Sequence, residues 1–307
     1  MTFHVRPPID GATTVPIRRA GCVAAELCKT PARAEVAAVF ERSFYLRSGD
    51  RFICIGEPAI GNGPLTLIAD MARLALRPGQ PARVGENCIA IDAMTFTYDG
   101  RRPWHPPPWP QPATPRELMR TRMELARRAA KEAPAEGFGR TIATMAEPHD
   151  AFSRAARRRL ARLESCLAAP TAAAASLSDA VCDLVGLGPG LTPSGDDVLI
   201  GALALLDALA TRNEQASGAC AGLAHAIARV PPGRTSPLSH CFLRTSAAGH
   251  IGEHLHAAVS SLVTDDIDGA LAAARRIGHS SGWDMLAGIV TALDLVVRRD
   301  HAALRGR

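Results

Sequence analysis

The sequence predicts an α+β fold: a β-rich N-terminal domain followed by an α-helical C-terminal domain. Three observations carry this. The first hundred residues hold short β-branched and aromatic runs separated by turn residues. A proline-dense stretch, Pro103-Trp104-His105-Pro106-Pro107-Pro108-Trp109-Pro110-Gln111-Pro112, interrupts the chain. Beyond Pro115 the apolar residues recur with helical spacing in Ala- and Leu-rich segments.

In chain order, the expected strands begin with Cys22-Val23-Ala24-Ala25-Glu26-Leu27. Val36 to Leu46 and Arg51-Phe52-Ile53-Cys54-Ile55 read as a hairpin around Ser48-Gly49-Asp50. Leu65 to Ile68, Cys88 to Ile91 and Met94 to Tyr98 add further strands. Between them, Gly56 to Pro64 is a turn-rich loop. Prolines at the connector's density exclude helix and sheet interiors, so that segment is extended, and its two tryptophans pack it down. The expected helices are Arg116 to Lys131, Ala151 to Leu167, Leu177 to Val185, Val198 to Thr211, Ala219 to Arg229, Ser246 to Leu262, Ile267 to Ile277 and Met285 to Arg298. The resulting division is a β-rich domain over 1–102, a connector over 103–115 and a helical domain over 116–307.

Composition narrows the function classes. The 307 residues are 47% hydrophobic and 21% charged, which is ordinary for a globular chain. Formal net charge is only +5, almost all of it from arginine, with Lys29 and Lys131 the only lysines. The basic run Arg154, Arg157, Arg158, Arg159 and Arg162 lacks interleaved aromatics and reads as a solvated helix face, not a nucleic-acid footprint. Eight scattered cysteines form no C-x-x-C pair, which points to reduced thiols and a cytoplasmic protein. Met1 to Pro7 has no apolar core of a signal peptide, and Val198 to Ala210 is too short to span a bilayer.

The motif that carries chemistry occurs twice. Ser194-Gly195-Asp196-Asp197-Val198-Leu199-Ile200-Gly201 and Ser281-Gly282-Trp283-Asp284-Met285-Leu286-Ala287-Gly288 share the pattern S-G-x-D-x-L-x-G at an offset of 87 residues. The offset also relates Asp207 to Asp294. Each copy follows a glycine-bearing polar loop, Gly186 to Pro193 in one case and Gly278-His279-Ser280 in the other. Glycine loops opening onto helix N-termini present free N–H groups to an anion. Gly188, Gly190, Thr192, Ser194 and Gly195 are the binding candidates in the first copy, and Ser280, Ser281 and Gly282 in the second. Ser194 and Ser281 read as N-caps, with Asp197 and Asp284 completing capping-box-like pairs. The bland reading of either copy alone is helix capping. Arg234-Thr235-Ser236-Pro237-Leu238-Ser239 adds a guanidinium and hydroxyls, so Arg234, Thr235 and Ser239 join the candidates. Arg42 and the Gly61 to Pro64 loop, including Gly63, are the contribution expected from the N-terminal domain.

Two metal readings compete. Asp196 and Asp197 could pair as Mg²⁺ ligands. His250-Ile251-Gly252-Glu253-His254 spells the inverted zincin pattern H-x-x-E-H, which requires both histidines on one helical face. Gly249 and Gly252 weaken such a helix, and no further acidic ligand is evident. No metal and no cofactor is therefore expected.

Across Gly186 to Gly201, Arg234 to Gly249 and Gly278 to Gly288, the chain resembles the AllH family, whose characteristic stretch G-x-G-P-G-L-T-P-S-G-D-D is intact here. The R-T-S-x-x-S and S-G-W-D-M-L-x-G segments match too. Looser similarity runs through Phe40 to Leu46 and Gly61 to Pro64. The Pro-rich connector and the Arg154 to Arg162 run are not features of the family. The resemblance implies a subunit of an oxamate carbamoyltransferase of allantoin catabolism, working with an FdrA-like subunit and a member of a second formerly uncharacterised family. The implied reaction converts oxalurate and phosphate to oxamate and carbamoyl phosphate. In that setting Asp196, Asp197 and Arg234 are the catalytic candidates, with the loop glycines and hydroxyls holding the anions. A non-catalytic scaffold with the same pocket and a zinc hydrolase are the alternatives. No nucleic-acid or membrane partner is expected.

Overall fold

The computed structural model describes residues 13–71, 75–100, 102–143, 151–168 and 174–305. Met1 to Pro7, read above for a leader, lies outside them. The fold is α+β, and the chain divides into two compact units, Met1–Pro107 and Pro108–Arg307.

The first unit is a closed eight-stranded barrel. Its strands are β1 (Thr13–Ala20), β2 (Ala32–Val39), β3 (Ser43–Ser48), β4 (Arg51–Gly56), β5 (Thr66–Ala69), β6 (Pro81–Gly85), β7 (Cys88–Ile91) and β8 (Met94–Thr97). They close in the order β1-β5-β4-β3-β2-β6-β7-β8. Closure comes from the parallel pairing of β1 with β8, Thr13 opposite Met94. Side chains alternate, so Val36, Phe44, Leu46, Ile55, Leu67, Ile89, Ile91 and Phe96 fill the interior, each at most 2% exposed. The expected hairpin is β3–β4, where Ser48 faces Arg51 across Gly49 at φ 64°.

One expected strand is a helix. Cys22–Leu27 forms α1. Ala24, Ala25, Glu26 and Leu27 all favour helix, and the carbonyl of Pro64 accepts the N–H groups of Val23 and Ala24, two of the free donors of a helix start. Val36 to Leu46 is not one strand but β2 and β3 joined by a turn. β1 and β6 gave no signal that was read. Proline at Pro16 and Pro81, with Arg18, Arg19 and Arg83, obscured their pattern.

The second unit is helical: α2 (Pro115–Glu132), α3 (Ala151–Ala168), α4 (Ala174–Leu184), α5 (Ser194–Ala210), α6 (Glu214–Ala228), α7 (Pro237–Ala247), α8 (Glu253–Val263), α9 (Ile267–Ala274) and α10 (Ser281–Arg305). Thr114 and Glu117 form a full capping box at the start of α2. The helix expected over Ser246 to Leu262 is broken into the end of α7 and α8. Gly249 at φ 82° terminates α7, and Gly252 caps α8. Trp104 pairs with Gly21 in the barrel unit. In the helical unit, the Trp109 indole N–H donates to Asp207 at 2.8 Å and stacks on His256 at 4.2 Å.

The helical core centres on α5 and α10. From Ser194 to Leu209 the only α5 position that is not buried is Asp207. The two helices cross where they carry glycine. A Cβ on Gly201 would sit 2.1 Å from the Met285 carbonyl oxygen, and one on Gly288 would sit 1.9 Å from that of Val198. Val198 and Met285 are themselves equivalent positions of the repeat, so the contact is reciprocal and pseudo-twofold.

Candidate functional site

The repeat also builds each helix entrance in the same way. A Cβ on Gly195 would lie 2.0 Å from the carbonyl oxygen of Leu184, the last residue of α4. One on Gly282 would lie 2.0 Å from that of Ala274, the last residue of α9. The sequence therefore encodes two units of helix, loop and glycine-opened helix. Glycine is required at both entrances because backbone touches backbone there.

The two entrances meet. Thr192 Oγ1 lies 3.4 Å from Ser281 Oγ. The Ser281 side chain acts on the carboxyl of Asp197, and that of Ser194 on the carboxyl of Asp284, each favouring the ionised form. Each serine is thus paired with the aspartate of the other copy. This corrects the capping expectation. Pro193, not Ser194, is the N-cap of α5, with no side-chain cap; its carbonyl accepts the N–H groups of Asp196 and Asp197. Local sequence permits the S-x-x-D box, but the crossing offers both pairs a partner across the junction.

Asp196 takes a different direction. Its carboxylate, fully buried, accepts the Gly186 N–H at 2.8 Å, the Ser239 hydroxyl at 2.6 Å and the Thr235 hydroxyl. It thereby ties the start of the glycine loop to the entrance of α7. Gly186, at φ 75°, abuts the Arg234 carbonyl, which a Cβ would approach to 2.3 Å. The Asp196–Asp197 metal pair expected as one alternative is not formed, since consecutive helical residues point in different directions.

Asp197 and Asp284 are 2% and 1% exposed, and one oxygen of each, Oδ2, has no hydrogen-bond partner. Burial pushes the Asp197 carboxyl well above the usual carboxylate range, and the negative charges of Asp284 and Asp196 add to this. Asp284 is also raised by burial, against the opposing effect of bonds from the Phe138 N–H and Ser194. The Phe138 contact was missed at the sequence level. Gly137, at φ 77°, lets the chain run against Asp284, where a Cβ would lie 2.3 Å from its Oδ1. The doublet Gly137-Phe138-Gly139 was the available signal.

The remaining candidates fall in both units. Gly188, at φ 115°, folds the loop back so that a Cβ would meet the Ser194 nitrogen at 3.0 Å. Gly190, at φ 96°, is exposed with open space around it. Ser280 accepts the Asp284 N–H at its carbonyl, 2.9 Å away. Arg234 is exposed, and its guanidinium donates to the Cys182 carbonyl at 2.8 Å. Arg42 and Gly63 lie in the barrel unit. The Arg42 carbonyl accepts the Glu57 N–H, and the Gly63 carbonyl accepts the Thr66 N–H. A Cβ on Gly21 would come within 1.9 Å of that Gly63 oxygen.

The H-x-x-E-H segment does not form the geometry its pattern requires. α8 begins at Glu253, so His250 precedes the helix. Among the described residues no group of three or more His, Cys, Asp or Glu side chains is placed to hold a metal ion. No described helix is long and apolar enough to cross a membrane.

These features define a class: a helical unit built from a duplicated loop–helix element, whose two copies interlock at their N-termini. Residues 184–293, which span both copies, match the AllH family, described as oxamate carbamoyltransferase subunit AllH. The match bears out the family resemblance drawn from the motifs. No curated protein and no solved structure matched the chain in the same comparisons.

Proposed function

We propose that this chain is a subunit of a carbamoyltransferase that binds small anions at the junction of α5 and α10. The observation that carries the reading is the meeting of Thr192 and Ser281, which joins the two glycine loops at one place within the family-matched segment. Two helix N-termini converge there, and the positive ends of their dipoles favour negatively charged ligands. The substrates implied by the family name are oxamate or oxalurate with phosphate or carbamoyl phosphate, all anionic. Phosphate attacks the carbamoyl carbon of oxalurate, the bond to the oxamate nitrogen breaks, and carbamoyl phosphate leaves. Positioning and stabilisation of the developing oxyanion supply the catalysis, with no protein nucleophile.

In this scheme Gly188, Gly190, Thr192, Ser194 and Gly195 hold one anion, and Ser280, Ser281 and Gly282 the other. Asp196 organises the loop through Gly186, Thr235 and Ser239. Arg234 completes this set in the helical unit. The partners are an FdrA-like subunit and a second subunit, and the pathway is allantoin catabolism in the cytoplasm. The contending reading is a scaffold subunit whose partners do the chemistry.

Carbamoyl phosphate formation from oxalurate should be assayed with the chain alone and with both partners. Gly190→Val is expected to reduce transfer at least a hundredfold while leaving the circular dichroism spectrum unchanged. Wild-type activity in that variant overturns the site. Phosphate binding by the complex that survives both Gly190→Val and Thr192→Val favours the scaffold.

A further inference from the structure

The two buried carboxyls at the junction are unusual in one respect. Asp197 and Asp284 occupy equivalent positions of the repeat, each is acted on by the other copy's serine, and each leaves Oδ2 without a partner. A buried, ionised carboxylate with an unsatisfied oxygen is costly, so two must be compensated. Among the described residues no basic side chain forms an ion pair with either. Asp196, on the same helix, is negative and committed to Gly186, Thr235 and Ser239. α7 contributes Ser239 to Asp196, and the 137–139 segment contributes a backbone N–H to Asp284. Arg140, Arg234 and His279, the nearest basic residues along the adjoining segments, are exposed.

We propose that Asp197 and Asp284 hold one proton between them and supply it, through the hydroxyls of Ser281 and Thr192, to the nitrogen that leaves in carbamoyl transfer. The path runs by Ser281, whose side chain acts on the Asp197 carboxyl and whose Oγ is 3.4 Å from Thr192 Oγ1 on the half-buried loop. The inference rests on the carbamoyltransferase reading for its acceptor but not for the stored proton. The step balances. As the C–N bond breaks, Thr192 protonates the oxamate nitrogen, Ser281 reprotonates Thr192, and Asp197 reprotonates Ser281. The hydroxyl proton of hydrogen phosphate, released as its oxygen bonds to the carbamoyl carbon, restores the aspartate pair. Burial of both carboxyls, and for Asp197 the negative charge of Asp284, favour the protonated form.

Infrared difference spectroscopy of the full chain, without partners or substrate, reads the stored proton directly. A protonated-carboxyl band is expected at pH 7 in the wild type and absent in Asp197→Asn and in Asp284→Asn. A wild type without the band, or a band surviving both substitutions, overturns the proposal whatever the activity. In the reconstituted complex, Ser281→Ala is expected to keep the band and lower kcat at least tenfold at saturating substrate. Unchanged kcat there overturns the relay. A band present in a complex that never acts on oxalurate supports the stored proton and overturns the carbamoyl-transfer reading instead.

Discussion

The crossing of α5 and α10 can be tested by adding a single carbon. In Gly288→Ala the new Cβ would stand 1.9 Å from the Val198 carbonyl oxygen and 2.9 Å from the Ala202 nitrogen. Ordinary contact between such atoms is about 3.5 Å, so the helices must part by roughly 1.5 Å. Both obstacles are backbone in fully buried helix, and neither can rotate away. Overpacking of this kind costs about 1–3 kcal/mol, and backbone obstacles place it at the upper end. For a unit of this size that lowers Tm by roughly 6–9 °C. Gly201→Ala meets the Met285 carbonyl at 2.1 Å and should cost a similar amount. The decisive measurement is the double variant. One outward shift accommodates both methyls, so the combined loss should fall about 1–2 kcal/mol short of additive. Gly218→Ala, in exposed α6 with nothing within 4 Å, is the control and should stabilise by about 0.5–1 kcal/mol. Chemical denaturation of the four variants gives the values. A Gly288→Ala protein as stable as wild type, or an additive double variant, would refute the reciprocal crossing.

Arg122 holds Asp294 through two bonds, at 2.8 and 2.9 Å, in a nearly buried pair. Arg122→Met should cost about 3–5 kcal/mol in denaturant titrations, and Arg122→Met with Asp294→Leu clearly less, because no lone charge is left. Asp197 binds its proton more tightly in the folded than in the unfolded chain. Its contribution is fully present below the unfolded value near pH 4 and is lost as pH rises towards the folded value, so stability falls with pH across that window. Asp197→Asn should flatten the slope of Tm against pH, and an unaltered slope would show that the group does not titrate there. Burial raises the thiols of Cys28 and Cys54 to about 12, so neither should react with a thiol reagent at pH 8 until the chain is denatured. Mass spectrometry of labelled peptides reads this out.

Much of the architecture was legible because periodicity is local. The α+β order, the turn at Gly49, the helical stretches and the repeat of Ser194 to Gly201 at Ser281 to Gly288 all follow from spacing and turn chemistry. Where pairing partners decide, the reading failed. Cys22–Leu27 has a strand-compatible composition, yet the Pro64 carbonyl at its start makes it a helix. Gly249 and Gly252 were visible as weak points, but a break between α7 and α8 depends on how each helix packs.

The sequence by itself determined that two equivalent loop–helix units exist, and that glycine, serine and aspartate recur at fixed places in them. Those identities are properties of the chain. Only the tertiary structure decided what the residues do. Gly201 and Gly288 permit the helices to cross, Ser194 and Ser281 act on Asp284 and Asp197 of the other copy, and Asp196 turns away to organise the loop. The reason is that a side chain's hydrogen-bond partner is chosen by proximity in space. Here the partners lie 90 and 84 residues away along the chain.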